Sequence, residues 1–213
     1  TVKFYDAENY PMECVWHPVN GVVSAGKLYE FKPVDFVRGT REILTGEDWK
    51  YIVEQINGSK NDWKAAYLSA DNTIKLGADI VLPEGTPQIT KSFPYVLDGM
   101  GYTITNDNAT AALIKTLSDG GAIRNLTMAG MIHASNEDAS LIEASAFVHT
   151  LSGGKIEDCT NEMIFNVKAK KVIFGAFART FSAGELNRCV NNADMTISMD
   201  VSSYAGSEST ADL

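Results

Sequence analysis

The sequence predicts an all-β protein, a right-handed single-stranded parallel β-helix (solenoid) with an N-terminal capping α-helix. Two observations favour this fold: an internal repeat of about 30 residues, and short apolar segments within it that are joined by turns containing serine and glycine. The repeat contains no apolar stripe long enough for a helix. Units of this kind cannot bury a face alone, but they can stack on one another.

The repeat occurs three times and superposes with one small insertion. Its copies are ALIKTLSDGGAIRNL at 112–126, AFVHTLSGGKIEDC at 146–159 and AFARTFSAGELNRC at 176–189. Thr116 recurs as Thr150 and then as Thr180, after 34 and then 30 residues. Each copy therefore predicts a short strand, a turn and a second short strand.

Equivalent positions of stacked copies should form ladders, with neighbours one strand spacing, roughly 4.8 Å, apart. Two such ladders are expected inside the solenoid: Ile123, Ile156 and Leu186, and Leu126, Cys159 and Cys189. Two interpretations of the cysteines stay open. They are stacked buried thiols, or they form a disulfide between adjacent copies, since that spacing falls within the permitted Cα range of about 4.4–6.8 Å. A catalytic thiol is not expected, because no histidine occupies a matching position.

A helix is predicted at about 46–57. Thr45 and the acidic residues after it resemble a capping box, and Asn57-Gly58 closes the segment. Apolar residues follow at helical spacing: Trp49, Ile52, Val53 and Ile56. An open solenoid end exposes apolar side chains and unpaired strand edges, so we expect this helix to cover the N-terminal end.

Three segments are expected along the chain. Residues 1–40 are β-rich, with prolines at 11, 18 and 33 as breaks, and form a lead-in sheet or the remnant of a preceding domain. Residues 41–200 form the parallel β-helix with its capping helix. Residues 201–213 are a polar tail. Either this tail folds over the last coil, or the chain was cut from a longer protein.

Composition excludes several classes of protein. The chain has 213 residues, of which 45% are hydrophobic and 21% charged, which indicates a globular core rather than disorder. The net charge of −9 argues against nucleic acid and anionic membrane as partners. No apolar run is long enough to span a membrane. The three cysteines show no metal-ligand spacing.

The segments TIKLGADIVLP at 73–83 and LDGMGYTIT at 97–105, followed by copies of the form AFxxTLSxGxIxxC, resemble bacterial surface or secreted β-helix proteins with GLUG-like repeats. The resemblance covers about 44–199. It implies an adhesin-like protein located outside the cell or on its surface, with any signal or anchor not present in this chain. It departs from that family where Ala146-Phe147-Val148 and Ala176-Phe177-Ala178 replace the usual small glycines.

No complete catalytic motif is present, and no catalytic, cofactor-binding or metal-binding residue is assigned. Acidic side chains are scattered singly, without the carboxylate pairs of glycosidases: Asp98, Asp107, Asp119, Glu143, Asp158 and Glu162. Asp98 precedes Gly99 and is interpreted as a turn residue. The pairs Gly120-Gly121 and Gly153-Gly154 are likewise interpreted as turn glycines.

The basic residues are expected on the surface. Arg124, Arg179 and Arg188 are candidate bases of a lyase, but each is interpreted as a solvated residue, and no calcium loop is present. The histidines lie far apart in the sequence, at 17, 133 and 149. His149 occupies the repeat position of Lys115 and Arg179, so we expect it to be an outward polar residue.

Two functions remain open. The favoured one is a non-catalytic adhesin-like module that binds an extracellular glycan or protein, or acts as a stalk, without a cofactor. The alternative is a polysaccharide lyase or glycoside hydrolase that acts in a groove of the β-helix. It would need several acids, or acids with arginine or lysine, on one face of consecutive coils. Nothing in the sequence indicates an oligomeric state.

Overall fold

The computed structural model describes residues 4–14, 36–135, 141–168 and 172–198. The first described segments form an antiparallel sheet of three strands in the order β1-β2-β3: β1 (Phe4–Tyr5), β2 (Pro11–Cys14) and β3 (Phe36–Arg38). Pro11 begins a strand rather than breaking one, and the first residue of a strand tolerates proline. Residues 15–35 of the expected β-rich segment, with the prolines at 18 and 33, and the tail at 201–213 lie outside the described residues.

Two helices follow, α1 (Gly46–Asn57) and α2 (Asp62–Tyr67). The predicted helix is confirmed in α1. The Thr45 side chain accepts a hydrogen bond from the Asp48 N–H, and the Asp48 carboxylate accepts one from the Thr45 N–H. The apolar face of α1 is buried and belongs to the same core as the strands that follow. The short helix α2 was not predicted.

The strands from residue 73 onward pair in parallel wherever the structure describes them, and they form three sheets. The first contains β4 (Thr73–Lys75), β6 (Ile89–Phe93), β7 (Val96–Asp98), β9 (Ile114–Ser118), β10 (Ala122–Arg124), β13 (Val148–Glu157) and β16 (Ala178–Asn187). The second contains β5 (Ile80–Val81), β8 (Thr103–Ala109), β11 (Thr127–Ser135), β14 (Thr160–Lys168), β17 (Val190–Asn191) and β18 (Asp194–Ser198). The third consists of β12 (Ile142–Ser145) and β15 (Val172–Gly175).

Each copy of the repeat pairs with the copies before and after it. The first half of β13 pairs with β9 and its second half with β10, while β16 pairs along both halves. The single strand β13 therefore takes the place that β9, β10 and the turn between them have in the preceding copy. The preceding copy has one extra residue between Leu117 and Ile123, which opens a turn at that point.

The glycine pairs consequently differ between copies. Gly120 lies in a turn, as predicted, but Gly153-Gly154 lies within β13, where the register shifts. Gly153 has φ +101°, which favours glycine. A Cβ on Gly154 would lie 2.6 Å from Leu117 Cγ and 2.9 Å from the Gly121 carbonyl oxygen. The close approach of the preceding copy explains why glycine recurs here.

The predicted ladders are present. Ile123 pairs with Ile156, and Ile156 with Leu186, and the ladder extends back through Leu97 to Ile74. Ile74, Leu97, Ile123 and Ile156 are fully buried, whereas Leu186 is 45% exposed. The described chain is therefore mostly parallel β-sheet around one apolar core, which is compatible with the predicted all-β solenoid class. No helix among the described residues is long and apolar enough to cross a membrane.

Candidate binding face

One column of basic side chains follows the outer side of the first sheet. Ile114 pairs with Val148 and Thr116 with Thr150, so Lys115 lies opposite His149. Val148 pairs with Ala178 and Thr150 with Thr180, so His149 lies opposite Arg179. The equivalence expected from the repeat is thus present in the strand register, and neighbours in the column lie on adjacent strands about 4.8 Å apart.

The column extends to β6. Ile89 pairs with Ile114 and Ser92 with Thr116, so Thr90 and Lys91 together oppose Lys115 at a bulge. We call Lys91, Lys115, His149 and Arg179 the basic strip. A column of hydroxyl side chains runs beside it: Ser92, Thr116, Thr150 and Thr180.

The local sequence explains why these side chains face outward. In β9, Ile114 and Leu117 are fully buried, whereas Lys115 is exposed and Thr116 is half-buried. Two outward residues thus stand between two inward ones, which is not the strict alternation of a flat strand. The same pattern in β13 leaves His149 and Thr150 outward between two buried apolar residues.

Glu143 in β12 closes one end of the basic strip. Its Oε2 atom lies 3.2 Å from His149 Nε2, and its Oε1 atom accepts a hydrogen bond from the Arg179 guanidinium. His149 and Arg179 also contact the hydroxyls of the threonines that follow them. The expectation that Arg179 is solvated was wrong, because its side chain is 22% exposed and paired.

The repeat did not reveal this contact. Glu143 pairs in register with Ile173 of the next copy, so no equivalent acid marks the position. Because Glu143 pairs with His149 and Arg179, the free positive charge of the basic strip lies at its other end, on the two lysines. Lys91 and Lys115 are exposed and form no ion pair with any residue that the structure describes.

Asp98 lies in a separate, structural cluster. Its Oδ1 atom accepts hydrogen bonds from the Met100 N–H at 2.9 Å and from Asn125 Nδ2 at 3.1 Å, and Oδ2 accepts one from Arg124 Nε at 2.8 Å. Burial raises the pKa of this carboxyl, but the hydrogen bonds and the Arg124 charge outweigh it and hold the pKa below its usual range. The predicted turn is present, and Arg124 is paired rather than free.

Arg188 is exposed as predicted, but it pairs with Asp158. Arg188 Nε lies 2.6 Å from Asp158 Oδ1, and this hydrogen bond lowers the pKa of the Asp158 carboxyl. Asp107, Asp119 and Glu162 are exposed. The described ranges hold no group of three or more histidine, cysteine or acidic side chains placed to hold a metal ion.

Cys159 and Cys189 are stacked as predicted and are both free thiols, but Cys159 is buried whereas Cys189 is only half-buried. Their register follows from the pairing of Thr160 with Val190 directly after them. The neighbouring Cys159 thiol lowers the pKa of the Cys189 thiol to about 7. The neighbouring Cys189 thiol, together with burial, raises the pKa of Cys159.

One of the other two histidines lies in the second sheet. His133 lies in β11, where it pairs in register with Asn166, and its side chain is outside the described set. His17 lies outside the described residues.

No protein family, curated protein or solved structure matches this chain.

Proposed function

We propose that the chain is a right-handed parallel β-helix and that it serves as a non-catalytic, adhesin-like module of a secreted or surface-displayed bacterial protein. The fold proposal is supported by parallel pairing between successive copies in all three sheets. Crossover connections between parallel strands of one sheet are right-handed in about 98% of cases, which favours that hand here. The helix α1 then covers the N-terminal end of the stack.

The ligand of this module is an extracellular glycan bound along the basic strip. The observation that supports this is the alignment of one basic side chain and one hydroxyl per copy on the same outer face. Hydroxyls both donate and accept hydrogen bonds, and lysine and arginine donate several. A linear ligand with repeated hydroxyl groups matches the hydroxyl column, and its acidic groups can meet Lys91 and Lys115, since Glu143 already pairs with His149 and Arg179.

A glycan array with the full chain tests the proposal. We expect a subset of glycans to bind, and Lys115→Ala to weaken that binding at least tenfold, about 1.4 kcal/mol. Lys155→Ala is the matched control, because Lys155 lies in β13 away from the strip and pairs with Glu185. Equal loss in both variants, or no loss in Lys115→Ala, would contradict the assignment of the face.

A polysaccharide lyase or hydrolase is the second candidate, and Glu143, His149 and Arg179 favour it. An acid, an imidazole and a guanidinium converge there from neighbouring strands. Against it, Glu143 occupies both basic groups, and hydrolysis needs a second carboxylate within about 5–10 Å. Each glycan that binds is therefore assayed for new reducing or unsaturated ends. Product that disappears in Glu143→Gln would replace the adhesin proposal with an enzyme.

A further inference from the structure

A second feature of the outer surface lies where the basic strip begins. A cleft of about 390 Å³ opens between the α1–α2 connection, α2 and the β6–β7 turn. Its walls include Lys60, Lys64, Lys91, Ser92, Trp63 and Tyr95. We call it the lysine cleft. Its volume lies within the range of about 300–1,000 Å³ that is usual for small-ligand sites.

The aromatic wall of the lysine cleft is held in place by packing. The Trp63 and Tyr95 rings meet edge to face with centroids 5.3 Å apart, and Phe93 meets Tyr95 at 5.4 Å. Trp63 and Phe93 are buried, so Tyr95 rests on fixed neighbours. Among the described residues, the buried indole N–H of Trp63 has no hydrogen-bond partner. The packing of Trp63 and Phe93 against Tyr95 therefore fixes the Tyr95 ring at the wall of the cleft.

Three lysine side chains line the lysine cleft. Lys64 Nζ lies 5.4 Å from the Tyr95 ring centroid, and Lys60 and Lys91 are exposed at the rim. None of the three lysines forms an ion pair within the described part of the chain. Like charges that share a cleft repel one another, and an anion bound between them removes that cost.

We propose that the lysine cleft binds an acidic saccharide, with the carboxylate or sulfate of one sugar among the three lysines and its ring against Tyr95. This inference rests on the proposed function and names the ligand class for it. Lys91 belongs to both the cleft and the basic strip. The saccharide therefore continues from the cleft along the strip, so that its next acidic group meets Lys115.

Calorimetric titration of the full chain tests this inference. The probes are an oligogalacturonate, a sulfated heparin oligosaccharide, neutral counterparts of equal length and a single-stranded oligonucleotide. We expect at least one acidic oligosaccharide to bind, and its neutral counterpart to bind at least tenfold more weakly. The two acidic probes distinguish carboxylate from sulfate recognition. Comparable binding of the oligonucleotide or of the neutral counterpart would overturn the inference.

Variants locate the site. Lys60→Met and Lys64→Met remove the charge but keep the aliphatic stem, and we expect each to weaken binding at least tenfold with an unchanged unfolding temperature. Lys155→Met is the control and should bind as the parent chain does. If Lys115→Ala weakens glycan binding while the Lys60 and Lys64 variants do not, the cleft inference fails and the proposed function stands. If no glycan binds the parent chain, the proposed function itself fails.

Discussion

At the scale of single residues, one backbone position recurs in a left-handed conformation. Asn125, Asp158 and Arg188 have φ values of 51°, 51° and 50°, and each lies where the chain turns from the first sheet into the second. Asparagine and aspartate tolerate this conformation better than other residues with a side chain. The turn is thus set by local backbone preference as well as by packing.

Substitutions at Asn125 isolate that preference. Asn125→Ala and Asn125→Gly both remove the hydrogen bond to Asp98, but only alanine pays the steric cost of the left-handed backbone. We expect Asn125→Ala to be about 1 kcal/mol less stable than Asn125→Gly. Urea unfolding of the two variants measures the difference. Equal stabilities would contradict a left-handed backbone at this turn.

The Asp98 cluster should stabilise the fold above mildly acidic pH. Asp98→Ala removes three hydrogen bonds that partly exposed donors make to a carboxylate, which costs about 1–3 kcal/mol. The pKa of Asp98 is lower in the folded chain than in the unfolded one, so the unfolded chain binds protons first. The contribution is therefore complete above about pH 4 and is lost as the pH falls further through the folded pKa.

Urea unfolding as a function of pH measures this contribution. The difference in stability between the parent chain and Asp98→Asn should shrink as the pH falls below 4. The exposed Asp107→Asn serves as a control and should show almost no difference at any pH. A gap for Asp98→Asn that stays constant down to the acid limit would disagree with a lowered pKa.

The stacked cysteines should form a disulfide when an oxidant is supplied. The Cys189 thiolate attacks a glutathione disulfide and releases one glutathione. The Cys159 thiol then loses its proton, attacks the Cys189 sulfur and releases the second glutathione. Because the pKa of Cys189 is about 7, the first step should accelerate as the pH rises through 7.

Mass spectrometry of the oxidised chain distinguishes the outcomes. The expected product has lost two hydrogens, and a peptide digest links Cys159 to Cys189. Cys159→Ser should instead retain one glutathione on Cys189. A parent chain whose Cys189 peptide retains glutathione would show that the two sulfurs cannot meet, and glutathione on the Cys14 peptide is counted separately.

At the scale of elements, the position of a side chain along a ladder decides how much its truncation lowers the free energy of unfolding. Ile156 and Leu186 occupy the same ladder in neighbouring strands, but the first is fully buried and the second is 45% exposed. Ile156→Ala should cost about 2–5 kcal/mol, and Leu186→Ala less than half of that. Chemical denaturation of both variants tests the ladder. Equal costs would indicate that Leu186 is covered in solution.

The elements that could be predicted are those with a repeated or periodic signal. The helix α1 follows from the capping residues Thr45 and Asp48 and from a full apolar stripe. The helix α2 has six residues, too few to establish a period. The sequence pattern predicts two strands and a turn where the structure has the single strand β13. This copy has one residue fewer than the preceding one, which removes the turn, and the sequence pattern alone does not show that the turn is lost.

At the scale of the whole molecule, the candidate face was predictable only in part. The alignment of Lys115, His149 and Arg179 follows from the repeat and is present in the register. Glu143 was missed as a partner because its counterpart in the next copy is Ile173. The lysine cleft was missed because Lys60, Lys64 and Lys91 come from the α1–α2 connection, α2 and β6, outside the three aligned copies.

The parallel pairing of neighbouring copies makes the molecule extendable. Among the described residues, β13 pairs only with strands of the copies before and after it, so duplicating residues 142–171 should insert one more unit. Each inserted unit would add one histidine and one threonine to the face together with its own Glu143, so the face would lengthen by about 4.8 Å while its free lysines stay at Lys91 and Lys115. The length of saccharide that fits along the hydroxyl column would therefore grow with the number of units, whereas affinity for a single acidic sugar would not change. The number of copies would thus set the length of polymer that the face can hold.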